Sequence, residues 1–210
     1  MATLTPPALS QCVVIMGARG TGKTVLAERL AAHYRDVIYL DATGYLTPRV
    51  PKWTKTNDLR KAAKMFGHVL VVPKPDQRSR AWYDAFFERL RTKRRSLLVL
   101  VDELFLLGNM NAMSYPPRLL DLVTMGRKPK VSLWSIVQRP KFVPSTVVEL
   151  ADVWFIFPIP QRDIAVVRDA LGDDVANAVK SLPFDYSFIW ARREKGGQWV
   201  FDKMPPLRLD

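Results

Sequence analysis

The chain has 210 residues, 48% of them hydrophobic and 25% charged, which favours a single globular domain with a full core. A single cysteine, Cys12, excludes an intramolecular disulfide, and no apolar run approaches the ~18 residues that a membrane span requires. The excess of 32 Lys and Arg over 20 Asp and Glu gives a net charge of +12. This charge favours a polyanionic partner, nucleic acid before membrane; a basic surface that only solvates the protein is the alternative.

The ends of the chain carry little pattern. The N-terminal segment lacks the basic start and long apolar run of a signal peptide, so we expect a cytosolic setting. Residues 1–11 are expected to be a flexible lead-in, because the pair Pro6-Pro7 does not fit the interior of a sheet. Residues 12–203 are expected to form one domain, followed by a tail at residues 204–210.

A glycine-rich motif follows the first predicted strand, residues 12–16. It reads GARGTGKT and fits the phosphate-binding pattern GxxxxGK[ST]. Its glycines let backbone N–H groups approach phosphate oxygens, and the next helix points its positive end at the same anion. Lys23 is placed to reach the β and γ phosphates of ATP, and the Thr24 hydroxyl to ligate Mg²⁺. The predicted nucleotide-binding residues are Gly17, Ala18, Arg19, Gly20, Thr21, Gly22, Lys23 and Thr24.

The next apolar runs predict a mainly parallel sheet. We expect the helix after the motif to reach about Tyr34, and further strands at residues 37–40 and 69–72. Strands that are apolar at nearly every position are typical of a sheet covered by helices on both faces, hence of an α/β fold. Residues 42–56 are expected to form a long functional or mobile loop.

Two helices are expected around the strand at residues 69–72. A short one follows Asn57 or Asp58, and a longer one follows Asp76, each capped by that side chain. In the longer helix, three apolar residues recur at intervals of four, which favours a buried stripe over a base-stacking surface. These three residues are Trp82, Phe86 and Leu90.

An acidic pair follows the apolar run at residues 97–101. Asp102 and Glu103 are therefore expected at the carboxyl end of a buried strand, where ligands bind in open α/β sheets. Asp102 is expected to hold the Mg²⁺ shell, and Glu103 to orient and polarise an attacking water. Buried strands often end in an acidic residue, so this pattern becomes specific through the phosphate-binding motif upstream.

An amide side chain, Gln138, ends the next predicted strand, residues 131–137. A polar group at the end of a central strand is suited to sense a γ-phosphate; a residue that merely leaves the sheet is the alternative. The remaining chain predicts a strand, two helices and a β-hairpin with a basic, glycine-containing tip. These elements are expected at residues 153–157, 161–171, 173–181 and 186–201, with the tip at residues 192–197.

Together, GARGTGKT, LLVLVDE and GRKPKVSLWSIVQRP resemble the motifs of the HerA/FtsK superfamily of P-loop DNA-pumping ATPases. The resemblance implies a RecA-like sheet in which the Gln138 strand lies between the other two motif strands. It also implies that Arg127, eleven residues before Gln138, reaches the nucleotide of a neighbouring subunit. Arg118, Arg139 and Arg162 are the other candidates for that role. A departure is Val137, where the family often has Ser or Thr.

A bare motor domain of this size is similar to the genome-packaging ATPases of icosahedral double-stranded DNA viruses with an internal membrane. The resemblance implies ATP and Mg²⁺ as cofactors, a homo-oligomeric ring, usually a hexamer, around double-stranded DNA, and a capsid or portal-vertex partner. It places the protein in the host cytoplasm or at the packaging vertex of the virion. Basic segments supply the predicted DNA contacts, which are Arg49, Lys52, Lys55, Arg192, Arg193 and Lys195.

Three other functions fit a phosphate-binding loop. One is an assembly or secretion ATPase of a phage or conjugation system. Another is a nucleotide or small-molecule kinase, which needs neither Glu103 beside Asp102 nor Gln138 on a middle strand. The last is a nucleotide-gated structural module without useful turnover, against which the full set of polar residues argues.

Overall fold

The computed structural model describes residues 4–47, 53–91, 96–108, 115–125 and 130–206. In these ranges the chain forms nine strands and seven α-helices, joined by loops and short 3-10 turns. The strands are β1 (Val13–Met16), β2 (Val37–Asp41), β3 (Thr54–Thr56), β4 (His68–Val71), β5 (Leu97–Asp102), β6 (Val131–Val137), β7 (Val153–Ile156), β8 (Phe188–Arg193) and β9 (Trp199–Met204). The helices are α1 (Lys23–Ala31), α2 (Leu59–Lys64), α3 (Arg80–Arg91), α4 (Pro117–Met125), α5 (Ser145–Glu149), α6 (Ile164–Leu171) and α7 (Asp173–Lys180).

All nine strands belong to one sheet, in the order β3-β4-β2-β5-β6-β1-β7-β8-β9. The first seven are parallel, and β8 and β9 join as an antiparallel hairpin. The predicted RecA-like α/β fold with a C-terminal hairpin is therefore confirmed. Strand β6 lies between β1 and β5, as the resemblance implied.

The central strands are buried along their whole length because helices cover both faces of the sheet. On one face, Val13 and Ile15 of β1 belong to the same core cluster as Leu26 of α1. On the other, Val14 and Met16 join the cluster that α3, α4, α6 and α7 supply. Each such fully buried aliphatic side chain contributes about 1.5–3 kcal/mol. This packing fixes the carboxyl ends of β1, β5 and β6 side by side.

The caps of the two helices near β4 differ from each other. Asp58 caps α2 as predicted, because its carboxylate accepts two backbone N–H groups of the first turn, at 2.8 and 3.1 Å. The prediction for Asp76 was wrong, since Asp76 lies in a separate 3-10 turn. Arg78, with ψ 67°, interrupts the helical path after that turn. Ser79 precedes α3 instead, and its hydroxyl accepts the Trp82 N–H at 3.3 Å.

The stripe predicted along α3 is confirmed, since Phe86 and Leu90 are buried and Trp82 packs partly buried against the same core. The segment at 42–56, predicted as a loop, ends in the short strand β3, which pairs with β4. None of the helices in the described ranges has the length and apolar character needed to span a membrane.

Residues 4–11, expected to be a flexible lead-in, contact the domain. Leu4 and Leu9 pack against the core cluster on the α1 side of the sheet. The Tyr34 hydroxyl donates a hydrogen bond to the Pro7 carbonyl, and Pro7 is buried. The segment is thus held next to the start of β1.

Candidate active site

The glycine-rich loop joins β1 to α1 at the carboxyl edge of the sheet. Gly22 precedes α1 with φ 97°, a left-handed backbone conformation that residues other than glycine adopt only at an energetic cost. A Cβ at Gly17 would lie 2.6 Å from Phe157 Cβ and 2.7 Å from Thr21 Oγ1. Glycine at these positions therefore lets the loop fold tightly beside the N-terminus of α1, a geometry that suits phosphate.

Lys23 is the first residue of α1 and is only 5% exposed. Its ammonium donates a hydrogen bond to the Ala18 carbonyl at 2.7 Å, and the Thr21 hydroxyl donates to the same oxygen at 2.8 Å. Burial lowers the pKa of Lys23 to about 8, opposed by the negative charges of Glu103 and Asp102. The lysine is thus held inside the loop by a neutral oxygen, a weaker partner for an ammonium than a phosphate.

Asp102 ends β5 and lies opposite Asp41, the last residue of β2, in the parallel register. The Asp41 carboxylate is committed to its own loop, where it accepts the backbone N–H groups of Thr43, Gly44 and Leu46 at 2.8–3.0 Å. Asp102 is buried, and burial, together with the Asp41 charge, raises its pKa to about 6. Asp41 thus shapes the electrostatics of the site while its own oxygens hold the loop.

Glu103 follows β5 with φ 51°, an unusual conformation for a residue with a side chain. Gln138, at the end of β6, donates a hydrogen bond from Nε2 to Glu103 Oε1. Glu103 Oε2 is buried, and no described residue forms a hydrogen bond with it. Burial and the Asp102 charge raise the pKa of Glu103 to about 7. A strained, half-satisfied carboxylate beside a buried lysine is typical of a functional site.

A cleft of about 590 Å³ extends from the glycine-rich loop along the start of α1. We call it the nucleotide cleft; Arg19, Lys23, Thr24 and Gln138 line it. Its other wall consists of residues that the sequence patterns did not single out, namely Phe157, Tyr186 and Pro206. Phe157 follows β7, the parallel neighbour of β1, whereas Tyr186 and Pro206 reach the cleft because β8 and β9 return as an antiparallel hairpin beside β7.

The residues present fit ATP and Mg²⁺. The tight glycine backbone, the buried ammonium of Lys23 and the cleft suit a triphosphate. In the described part of the chain, no three His, Cys, Asp or Glu side chains form a metal site by themselves. A Mg²⁺ ion here would accordingly combine the Thr24 hydroxyl and Asp102, partly through water, with phosphate oxygens of the substrate.

Four arginines are candidates for reaching the nucleotide of a neighbouring subunit. Arg127, the residue expected to act in trans, lies outside the described residues. Arg118 is engaged within its own subunit, with ion pairs to Glu88 at 3.1 Å and Asp121 at 2.7 Å. Arg139 is exposed, and its charge acts on the Glu103 of its own chain.

The predicted basic tip is shorter than expected. Strands β8 and β9 extend to Arg193 and from Trp199, so the tip contains Lys195 but neither arginine. Arg192 pairs with Asp202 at 2.5 Å, and its guanidinium lies 4.4 Å from the Trp190 ring centroid. The prediction extended the tip too far because Arg192 and Arg193 pair with Val200 and Trp199 of β9, a register that the basic composition of the segment does not reveal.

The other predicted DNA contacts divide between the described and undescribed parts of the chain. Arg49 and Lys52 lie outside the described residues. Lys55 is exposed on β3, and Arg162, the last alternative for the trans role, is exposed in the turn before α6.

Solved structures share this fold. The genome-packaging NTPase B204 of Sulfolobus turreted icosahedral virus 2, in complex with ATP-γS, aligns with TM-score 0.78 and 16% identity over 94% of this chain and 98% of that chain. VirB4 of Thermoanaerobacter pseudethanolicus gives 0.63 and 11% over 93% and 89%. The cytoplasmic domain of the type VII secretion ATPase EccC of Thermomonospora curvata gives 0.61 and 14% over 95% and 26%.

Among curated proteins, no sequence matches this chain at a significant level. A family model described as an AAA domain matches residues 9–138, from the lead-in through the glycine-rich loop and Asp102 to Gln138. Because that match spans more than half of the chain, the protein belongs to the AAA domain family and is a P-loop ATPase.

Proposed function

We propose that the protein is a HerA/FtsK-type translocase that uses ATP hydrolysis to move double-stranded DNA and packages a viral genome into a preformed capsid. The observation that carries the proposal is the hydrogen bond from Gln138 to Glu103 across neighbouring strands beside the P-loop. It links the group that would face a γ-phosphate to the group that would position water. A net charge of +12 and a fold shared with a genome-packaging NTPase over 98% of that protein's chain support the DNA-moving role.

Five side chains in or beside the nucleotide cleft have a proposed part in hydrolysis. Glu103 orients a water molecule in line with the γ-phosphate and draws its proton, so that the bond between the γ-phosphorus and the bridging oxygen breaks and ADP and phosphate result. Lys23 and the loop N–H groups hold the phosphate charge. Thr24 and Asp102 would hold Mg²⁺, partly through water, and the ion would neutralise part of that charge. Gln138 holds Glu103 until a γ-phosphate competes for its amide.

The aromatic wall of the cleft is proposed to hold the base. With the phosphates at Lys23, the cleft leads to Tyr186, whose Cδ1 lies 3.3 Å from a Cβ placed on Gly22. Tyr186 has φ 70° and is 58% exposed, so its ring is presented at the edge of the cleft. Phe157 beside it is fixed against Phe188, with ring centroids 5.1 Å apart. An aromatic face stacks on any base and so favours nucleotide binding with little base selectivity.

The proposed working form is a homo-oligomeric ring, a hexamer, with DNA in its channel. Arg127 of one subunit would complete the site of the next, and such an arginine contributes about 10³–10⁵ in rate in other NTPases. A capsid or portal-vertex protein would anchor the ring, at the virion or in the host cytoplasm.

The decisive experiment measures ATPase activity with and without duplex DNA over a range of protein concentrations, beside electron micrographs of the same samples. We expect rings, stimulation by DNA and a turnover per subunit that rises steeply with concentration. A monomer at full activity would contradict the shared site, and no response to DNA would contradict translocation.

A secretion or conjugation ATPase is the second candidate, because VirB4 and the EccC cytoplasmic domain share the fold. It predicts ATPase activity that duplex DNA leaves unchanged. Phosphate transfer from ATP to a nucleoside monophosphate would instead indicate a kinase.

A further inference from the structure

A second pocket opens at the same edge of the sheet as the nucleotide cleft. It has a volume of about 410 Å³ and lies where β2, β3 and β4 end. We call it the basic pocket; the residues that matter here are Gly44, Lys55, Asn57, Lys74 and Arg78. Four strand spacings separate β4 from β1, about 19 Å at ~4.8 Å per spacing, so these cations are remote from phosphates held at the P-loop.

The lining of the basic pocket presents donors and cations. Lys55, Lys74 and Arg78 are exposed, and no carboxylate is among the described residues that line the pocket. Within the described ranges, none of the three forms an ion pair. The Asp58 carboxylate beside Asn57 is occupied by the backbone N–H groups of α2. The pocket therefore has the chemistry to receive an anion and lacks the acidic groups that would bind a cation.

Strand pairing or a hydrogen bond orders the chain at each of the three cations. Lys55 sits on β3, in register with Leu70 of β4. The Lys74 N–H donates to the Gln77 side chain at 2.9 Å, which fixes the turn that carries Lys74. Arg78 Nε donates to the Pro73 carbonyl at 3.4 Å, a long hydrogen bond that directs its guanidinium toward the loop after β2.

The close approach of Gly44 and Arg78 completes the arrangement. A Cβ at Gly44 would lie 2.6 Å from Arg78 Nη2, so the guanidinium packs directly on the glycine backbone. Gly44 also has φ +80°, which only glycine adopts readily. The loop that contains it is held by Asp41, the neighbour of Asp102 in the sheet. The adjacent ends of β2 and β5 thus connect the basic pocket to the active site.

We propose that the basic pocket binds backbone phosphates of duplex DNA. This inference rests on the proposed function, which supplies the DNA. Among the described residues, none that lines the pocket is aromatic and could stack a base, so a free nucleotide would gain little beyond its phosphates. Exposed cations that stand on ordered backbone and form no ion pair within the described ranges suit the repeated phosphates of a duplex backbone, which is bound by releasing counterions.

The test compares two double variants that remove the same charge from opposite edges of the sheet. Lys55→Gln with Lys74→Gln alters the basic pocket and keeps Arg78, whose hydrogen bond belongs to the fold. Arg35→Gln with Lys130→Gln is the control, because both residues are exposed and lie just before the parallel strands β2 and β6, at the opposite edge of the sheet. Both proteins are full-length, and binding to a short duplex is measured from 50 to 200 mM salt.

We expect the pocket variant to flatten the slope of log affinity against log salt by about 1.8, two contacts at ~0.9 each, and the control to change it far less. The ATP KM without DNA stays the same in both. Equal slopes for the two variants would overturn the inference, as would displacement of the duplex by inorganic phosphate at matched ionic strength, which would assign the pocket to a small anion. If the unaltered protein binds no duplex, the proposed function itself fails.

Discussion

Two regions at one edge of the sheet carry most of the chemistry, and they differ in depth. At the nucleotide cleft, Lys23 in its lining and Glu103 behind Gln138 are 5% and 7% exposed, so each charge shifts the pKa of its neighbours. In the basic pocket, Lys55 and Lys74 are exposed and remain surrounded by solvent. The same charge thus tunes reactivity when it is buried and gives screened, reversible binding when it is exposed.

This difference predicts that substitutions will separate hydrolysis from DNA binding. Cleft variants should alter turnover and leave the salt dependence of DNA binding unchanged, and pocket variants should do the reverse. The largest effect is expected deepest in the cleft and the smallest at the rim of the pocket.

The largest effect is expected for Glu103→Gln. Loss of the base that polarises water should lower kcat by about 10²–10⁴, while the amide keeps a partner for Gln138 and ATP binding persists. Single-turnover hydrolysis and nucleotide binding are measured together, with Glu149→Gln, an exposed acid on α5, as the control. Turnover within a factor of three of the unaltered protein would remove Glu103 from the chemistry.

The pH dependence of stability is expected to report the buried carboxylates. The pKa values of Asp102 and Glu103 are raised in the folded protein, to about 6 and about 7, from 3.8 and 4.5. At pH values between the unfolded and the folded pKa of each carboxyl, the folded state holds a proton that the unfolded state releases. The free energy of unfolding should therefore fall as pH rises from about 4.5 to 7, by several kcal/mol for the two carboxyls together.

Chemical denaturation without nucleotide and in the presence of a chelator measures this dependence. Glu103→Gln should reduce it, since the amide does not titrate, whereas Glu149→Gln should leave it unchanged. A stability that is flat or rises with pH over this interval would show that the carboxylates are not held in the protonated form.

A smaller effect is expected at the aromatic wall. Tyr186→Ala should raise the ATP KM about tenfold, because stacking of a base on an aromatic ring is worth ~1–3 kcal/mol, and should affect GTP similarly. Tripolyphosphate, which has no base, should inhibit the variant and the unaltered enzyme equally. Tyr186→Phe retains the ring, and Phe184→Ala removes an exposed ring of the same loop outside the cleft. An unchanged KM would place the base elsewhere.

The sequence predicted the parts of the cleft that depend on short segments. The glycine-rich loop, the acidic pair after β5 and Gln138 after β6 each follow a continuous apolar run, and parallel pairing brings such strand ends together. The apolar pattern also predicted the sheet, because burial on both faces leaves few polar positions in β1, β5 and β6.

The parts that were missed depend on distant segments or on side-chain contacts. Tyr186 reaches the P-loop only because β8 returns antiparallel beside β7. The basic pocket combines Lys55 with Lys74 and Arg78 from the turn that was mistaken for a helix cap. Arg192 has the charge expected of a DNA contact, yet its pairing with Asp202 is visible only once the hairpin register is known.

The smallest effect is expected for Gly44→Ala at the rim of the basic pocket. The new methyl group would meet the flexible end of Arg78 and move its guanidinium off the loop. The left-handed backbone at φ +80° should lower the free energy of unfolding by about 1 kcal/mol. Duplex affinity should fall by about two- to threefold as one phosphate contact weakens, with the ATP KM unchanged.

Gly67→Ala separates the strain of this substitution from the displaced arginine. Gly67 has φ +78° and no atom within 4 Å of an added Cβ, so alanine there carries the backbone cost alone. Both variants should therefore lose similar stability, and only Gly44→Ala should lose duplex affinity. Equal affinities would mean that the position of Arg78 does not matter for DNA. A loss confined to Gly44→Ala would show that one methyl group changes DNA binding at this edge without reaching the nucleotide cleft.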